Sequence, residues 1–574
     1  LWETQFRREV LLDELASQSN YEGWQWLGHY QPMPIAPISH YEARDGVDLD
    51  IVFRNRVAEL ADIQLEIEEL EGVEEPVSEL ARELLTYQLR LQENGRPFVQ
   101  YRFALDPFDG IQLRFPLYLL AQHPIHNKEE AEAYMGRIDI FAEELLGLQE
   151  WMKRQEENDL LPPAFLIERS LAQVEALLAT PAKEHPLYVH LGRKLVRVNP
   201  TEMNEWEATD YLIRLEDIIE QRLYPAWQEL ATVLETWQER TTQSGAAYDL
   251  PRGQEYYQQC LQAYLGPDAD AAIIQQAADQ EVQRLRLQLD RVLDSLEVPA
   301  GGLAKRLKAF ETHYVSNSHQ NPDSALMLSR QSLAEFSRLL AGAFPLDRLP
   351  GERMRFQALP ARWEQASFPS ELIPPEAGRK VLPSYWLNST AWPTWYQPTL
   401  TALDLVPGTY QSRSRRYMPD FRTGMHFPAW EAGWSWYALS TLERDIPLLP
   451  SRAEMYVSYL HLKLTKAAIA QADVSVHTKK WDRSTAIAYL RDQAGIPDSL
   501  ASTETDRLFA APGAGTIAVV GWLFFDQLYR DTYLTYPDRL SLLEWHRWLL
   551  DIGPMPFQMT EDQVTIRLET NLAS

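Results

Sequence analysis

The stretch Asn127-Lys-Glu-Glu-Ala-Glu-Ala-Tyr-Met-Gly-Arg-Ile-Asp-Ile-Phe-Ala-Glu-Glu-Leu-Leu-Gly-Leu-Gln-Glu-Trp-Met-Lys-Arg-Gln155 decides the fold class. Asn127 is a helix-capping residue, and Glu129 and Glu130 put negative charge in the first turn, where free backbone N–H groups await it. Behind them Ala131, Tyr134, Met135, Ile138, Phe141, Leu145 and Leu148 recur at three-and-four spacing, which gives one apolar face of a helix. The same spacing recurs on both sides. Pro162-Pro163 breaks the chain before a helix over Phe165–Leu178, and Trp206–Ile219 runs on into Pro225–Arg240. Further helices are predicted at Glu255–Tyr264, Asp268–Leu293, Thr399–Arg416, Ala429–Arg444, Glu454–Gln471, Ser484–Ala494, Gly515–Tyr529 and Ser541–Leu550. Only 25 of 574 residues are glycine, which agrees with helix throughout. Phe344 to Pro398 is rich in proline and aromatic residues, with Val381–Asn388 the best strand and Gln563–Glu569 a short terminal one. The expected fold is mainly α, a large multi-helix assembly with a few short strands. The loop Thr241–Arg252 divides it into an N-terminal unit, 1–245, and a C-terminal unit, 246–574.

The surroundings of these helices exclude several function classes. Lys and Arg number 54 against 82 Asp and Glu, a net charge of −28. Such a surface repels phosphate backbones, and the basic clusters Arg413-Ser414-Arg415-Arg416 and Lys479-Lys480 are too short to reverse that, so no nucleic-acid partner is expected. The single cysteine, Cys260, allows no intrachain disulfide and reads as a small buried hydrophobe. The longest uncharged run, Leu508–Phe525, is interrupted by Pro512, Gly513, Gly515 and Gly521, so it reads as a buried helix or hairpin and not a membrane span. Those glycines imitate a dinucleotide fingerprint, but their spacing suits a turn and a close helix contact better.

Standard catalytic signatures are missing: no Gly-x-Ser-x-Gly elbow, no phosphate loop, no His-Glu-x-x-His helix. His123-Pro-Ile-His126 has ligand-like spacing, yet Pro124 keeps it off a helix and a surface loop is the better reading. The acidic run Glu66–Glu79 reads as a solvated face. Tryptophan crowds between Trp386 and Trp436, as in a core or a groove for a peptide or carbohydrate.

Several blocks resemble, in the same order, the bacterial domain-of-unknown-function-885 family of putative lipoproteins. They are His123 through Arg137, Leu250-Pro-Arg-Gly-Gln-Glu-Tyr-Tyr257, Tyr385-Trp-Leu-Asn388, Val476-His477 with Trp481 and Ala486-Ile-Ala-Tyr489, then Arg507, Pro512-Gly513, Gly521 and His546 through Pro556. Typical members carry His-Glu-x-x-Pro-Gly-His on a helix and a later Glu-Gly-Trp, the donor set of a gluzincin-type zinc peptidase. There two imidazoles and a carboxylate hold the metal, and the motif glutamate takes a proton from its water. The matching stretch here is Leu403-Asp404-Leu405-Val406-Pro407-Gly408-Thr409, followed by Ala432-Gly433-Trp434. The positions of the three ligands are thus Leu403, Thr409 and Ala432, and that of the base is Asp404. The retained Pro407-Gly408 implies that the motif helix keeps its geometry.

The resemblance implies a gluzincin-like scaffold without a zinc shell: no catalytic residue, no metal and no cofactor. The leading expectation is a non-catalytic, peptidase-like protein whose cleft takes a peptide or other extended ligand, or which serves as an interaction scaffold. Cleft candidates are Asn388, Asp404, Tyr410, His426, Glu431, Trp434, His477 and Arg507. The alternative is an active hydrolase with a relocated metal or a metal-free carboxylate pair, Asp404 with Glu431 or Glu443. The family likeness also implies a periplasmic or outer-membrane address, with the membrane reached only through a lipid anchor upstream of Leu1. Oligomeric state is not legible.

Overall fold

The computed structural model describes residues 76–573, apart from 104, 124, 242–243, 316–321, 347–353, 360–369, 374–382, 389–391, 415–426 and 537–538. The chain is mainly α and divides into two compact units, which meet along the sequence between Gly245 and Ala246.

In the first unit, the described helices are α1 (Pro76–Gly95), α2 (Ile111–Gln122), α3 (Lys128–Glu157), α4 (Ala164–Leu178), α5 (Pro186–Leu195), α6 (Glu205–Ile218) and α7 (Tyr224–Arg240). The side chain of Asn127 accepts a hydrogen bond from the Glu130 N–H, so α3 starts where the capping signal puts it. Its apolar stripe from Ala131 to Leu148 is buried throughout and continues into Trp151 and Met152. It packs against α7, whose Trp227, Leu230, Ala231 and Leu234 lie in the same core. Phe141 meets Trp227 edge-on at 5.9 Å between ring centres. A single π-type turn, Ile219–Leu223, carries α6 straight into α7, as the unbroken periodicity required. His123 is buried against Tyr134, contrary to the surface loop read for it, while His126 lies outside and bonds Glu130 at 3.0 Å.

The second unit contains α8 (Gly253–Leu265), α9 (Ala271–Ser295), α10 (Leu303–Tyr314), α11 (Pro322–Leu339), α12 (Gln397–Asp404), α13 (Thr409–Ser414) and α14 (Pro428–Arg444). After them come α15 (Ala453–Lys479), α16 (Arg483–Ala494), α17 (Asp498–Ala510), α18 (Ile517–Leu528), α19 (Leu542–Ile552) and α20 (Phe557–Ala573). Helix α15 is the axis of the unit. Its residues are buried on every side, with α9, α16, α17 and α18 packed around it. Helices α14 and α18 cross at Gly433 and Gly521, so closely that a β-carbon on Gly433 would fall 2.5 Å from the Gly521 backbone. Neither position can carry a side chain without the helices parting. Cys260 is fully buried, and burial pushes its thiol far up.

Between α11 and α12, three strands form a small sheet: β1 (Arg355–Ala358), β2 (Ser370–Ile373) and β3 (Ser384–Leu387). The order is β1-β3-β2, with β3 parallel to β1 and antiparallel to β2. The buried centre, Ser384-Tyr-Trp-Leu387, is the strand expected within Val381–Asn388. Two expectations fail. The predicted terminal strand Gln563–Glu569 is part of α20, since only Val564 of its alternating apolar residues turns inward and Ile566 is exposed. The predicted helix Thr399–Arg416 is instead two, α12 and α13, and residues 415 and 416 lie outside the described residues.

Candidate functional site

The break between α12 and α13 falls inside Leu403–Thr409. Pro407 has no N–H to give and pushes Val406 towards extended backbone, so the helix cannot run through. It ends at Asp404, and Leu405 leaves helical geometry at φ −109° and ψ −80°. The chain then folds under itself: the Gly408 N–H donates to the Ala402 carbonyl at 3.1 Å. A β-carbon at Gly408 would sit 1.7 Å from the Leu403 oxygen, so glycine is compulsory there. Pro407-Gly408 therefore preserves a tight turn, and the continuous helix expected from the motif is corrected.

The polar side chains of the turn, Asp404 and Thr409, have partners within the second unit. Tyr385 of β3 donates its hydroxyl to Asp404 Oδ2 at 2.9 Å, and the Ser370 hydroxyl of β2 donates to the same oxygen. Burial raises the Asp404 carboxyl to about 6, while the two hydroxyl bonds and the charges of Arg413 and Lys466 pull the other way. Thr409 Oγ1 lies 2.9 Å from Ser435 Oγ on α14 and donates to the Leu403 carbonyl at 3.4 Å. Trp434, fully buried, donates its indole N–H to the Pro407 carbonyl at 3.1 Å. Glu431, in the first turn of α14, receives the buried Arg413 guanidinium at 3.2 Å.

Thus Leu403, Asp404, Thr409, Glu431 and Trp434 gather where α12, α13 and α14 meet. Ala432 follows Glu431 on α14 and is partly exposed. The other candidates stand differently. Asn388 is buried just beyond β3, and Tyr410 is buried on α13, its hydroxyl pushed up to about 12 by burial. Arg507 is half-buried on α17, 3.9 Å from Glu504. His426 lies outside the described residues. His477 is turned inward: its Nδ1 accepts from the Ala247 N–H at 2.9 Å, and its Nε2 faces the Leu508 carbonyl at 3.1 Å. Its ring stacks on Tyr257 at 4.9 Å, and burial lowers it to about 4. Such a neutral ring, bonded at both nitrogens, is a packing element.

Two partners were missed from the sequence. Ser370 and Tyr385 reach Asp404 only because β2 pairs with β3, which no local pattern announces. Arg413 was noticed only as part of a basic run, and its role as the counter-ion of Glu431 depends on α13 folding against α14.

A zinc ion does not fit this donor set. Leucine and alanine side chains offer no lone pair, and the Thr409 hydroxyl is committed to Ser435 and Leu403. Among the described residues, no three His, Cys, Asp or Glu side chains are grouped as a metal would require.

The family described as bacterial protein of unknown function, DUF885, matches residues 52–564. The chain belongs to this family. Two solved structures share its fold. A structure described as the putative lipoprotein from Colwellia psychrerythraea is 18% identical, with a TM-score of 0.85 over 99% of this chain and 100% of that one. A putative lipoprotein of unknown function from Shewanella oneidensis is 14% identical, with a TM-score of 0.66 over 97% and 98%. No curated protein matches the chain.

Proposed function

We propose that this DUF885 member is a non-catalytic, peptidase-like protein that works by binding, either an extended ligand such as a peptide or a protein for which it is a scaffold. The observation that carries the reading is Asp404. The one acidic group left at the motif is engaged by Ser370 and Tyr385 instead of facing a metal-bound water. Leu403, Thr409 and Ala432 support the same reading, because none of them can hold zinc. An upstream lipid anchor completes the proposal, supported by the two fold relatives described as putative lipoproteins.

The carboxylate-pair hydrolase has one observation in its favour, the raised Asp404. Its proposed partners count against it. Glu431 is neutralised by Arg413, and Glu443 stands about 18 Å further along α14 at 1.5 Å per residue. Glycosidase-type pairs need a separation of about 5–10 Å.

Metal analysis of the purified chain after dialysis against a chelator tests the proposal. We expect far less than one zinc per chain and no cleavage of a mixed peptide library. Stoichiometric zinc, or cleavage abolished by Asp404→Asn, overturns it.

A further inference from the structure

A lysine is buried inside the second unit without an acid to neutralise it. Lys463, on α15, is 2% exposed, and among the described residues it forms no salt bridge. Its Nζ donates to Ser440 Oγ on α14 at 2.9 Å and lies 3.4 Å from the Tyr459 hydroxyl, one turn earlier on α15. The Ser440 and Tyr459 hydroxyls are themselves 3.0 Å apart. The amine also stands 5.0 Å from the ring centre of Trp522 on α18. One side chain thus touches α14, α15 and α18.

The charged groups that face Lys463 come from three helices, and each is already engaged. On α9, Glu281 pairs with Arg284 at 2.7 Å. On α14, Glu443 accepts from the Tyr456 hydroxyl at 2.7 Å and from Gln288 Nε2 at 2.5 Å. On α18, Asp526 pairs with Arg444 at 3.3 Å. An ammonium held by hydroxyls and ring faces alone is expensive to bury, and an apolar side chain of similar length would be cheaper. Burial accordingly lowers the amine below its ordinary value; Arg284 pushes the same way, and Asp526, Glu281 and Glu443 act against them.

The helices around the amine are joined at one point. Gly433 and Gly521 fix the crossing of α14 and α18. Ser440 comes seven residues after Gly433, on the same face of α14, and Trp522 directly follows Gly521. Beyond the crossing, the two helices are therefore held to α15 through Lys463 and its neighbours. Asp526 has a side chain 18% exposed, which puts water on the α18 side of this junction.

We propose that Lys463 is a proton-operated latch: with its amine neutral, α14 and α18 close on α15, and with the amine protonated, α18 parts from α15 and lets water reach the charge. In the unfolded chain the amine titrates near about 10.4. Below that pH the unfolded chain holds a proton that the closed junction lacks. The closed state therefore loses stability as pH falls from about 10.4, until the amine is protonated in the folded chain as well. The latch is independent of what the protein binds, since it concerns only the second unit's own packing.

Hydrogen exchange of the full chain between pH 7 and pH 10, corrected for the intrinsic rate, tests it. In wild type, exchange in the second half of α14 and in α18 should slow severalfold as pH rises, with α3 of the first unit unchanged. Lys463→Met should exchange slowly in α14 and α18 and alike at both ends of the range. Ser440→Ala removes a hydroxyl that serves the ammonium, so it should carry the pH-dependent range to lower pH. Exchange in wild type that ignores pH, or the same pH dependence in Lys463→Met, overturns the proposal. If Lys463→Met does not fold, Ser440→Ala decides alone, and an unmoved pH range overturns it.

Discussion

Two aspartates of the second unit keep their carboxyl groups away from bulk water, Asp404 at the end of α12 and Asp473 near the end of α15, and they are held by different kinds of donor. Asp404 receives two hydroxyls, from Ser370 and Tyr385, on one oxygen. Asp473 receives the Tyr257 hydroxyl at 2.8 Å and two backbone N–H groups, of Gly513 at 3.0 Å and Gly515 at 2.9 Å. A hydroxyl can rotate and accept as readily as it donates. A backbone N–H in a fixed turn can do neither. Burial lifts both groups, Asp404 to about 6 and Asp473 to about 7, against the pull of these bonds. The difference separates an adaptable carboxylate, at the end of α12, from one built into the frame that joins α8, α15 and the turn before α18.

That distinction fails at once if Asp473 can be removed cheaply. Asp473→Ala strands the Tyr257 hydroxyl and two backbone N–H groups in a buried place, each costing about 1–3 kcal/mol. A loss of about 3–5 kcal/mol in chemical denaturation is expected, since the turn cannot relax without parting from α15. A loss under about 1 kcal/mol would mean that water reaches the turn and that the frame is not closed.

The two regions also differ in how far they could be read beforehand. The helix α3 was legible because one face repeats apolar residues and Asn127 marks its start. The span 399–416 was misread because its apolar spacing continues across Pro407, and spacing alone does not register a missing N–H. The terminal strand was misread because Val564, Ile566 and Leu568 alternate, and β-branched residues cost only a few tenths of a kcal/mol in a helix that has something to pack against. At the site, Leu403, Asp404, Thr409 and Ala432 could be singled out only through the family resemblance. Ser370 could not: it is 34 residues from Asp404 and arrives only through the pairing of β2 with β3. Asp473 carried no sequence signal, because its donors come from Tyr257, 216 residues earlier, and from backbone.

The pH dependence of stability sharpens the comparison with a smaller effect. Asp404 in the unfolded chain titrates near 3.9, and in the folded chain at about 6. Between those values the folded state holds a proton that the unfolded state has released. Stability contributed by the protonated group is therefore present below about pH 4 and is lost as pH rises through about 6. A two-unit shift sets an upper limit of roughly 2–3 kcal/mol. Wild type measured against Asp404→Asn should show this difference growing from pH 4 to pH 6 and flat above pH 7. A difference of the opposite sign would mean that the hydroxyls and Arg413 outweigh burial and that Asp404 is ionised in the fold.

The smallest effect is expected at the acid end of the same series. At pH 4 Asp404 is protonated in the folded chain, and asparagine has nearly its shape with one carbonyl oxygen still able to accept. Ser370 and Tyr385 can turn to suit whichever face of the amide they meet. Asp404→Asn should then be within about 1 kcal/mol of wild type, inside the range of a single adaptable hydrogen bond. Asp473→Asn should not match it, because the amide must either point its NH2 group at the fixed N–H of Gly513 or Gly515, or flip and lose the other. If both asparagine variants are equally mild at pH 4, the kind of donor does not matter, and Asp404 is as much a part of the frame as Asp473.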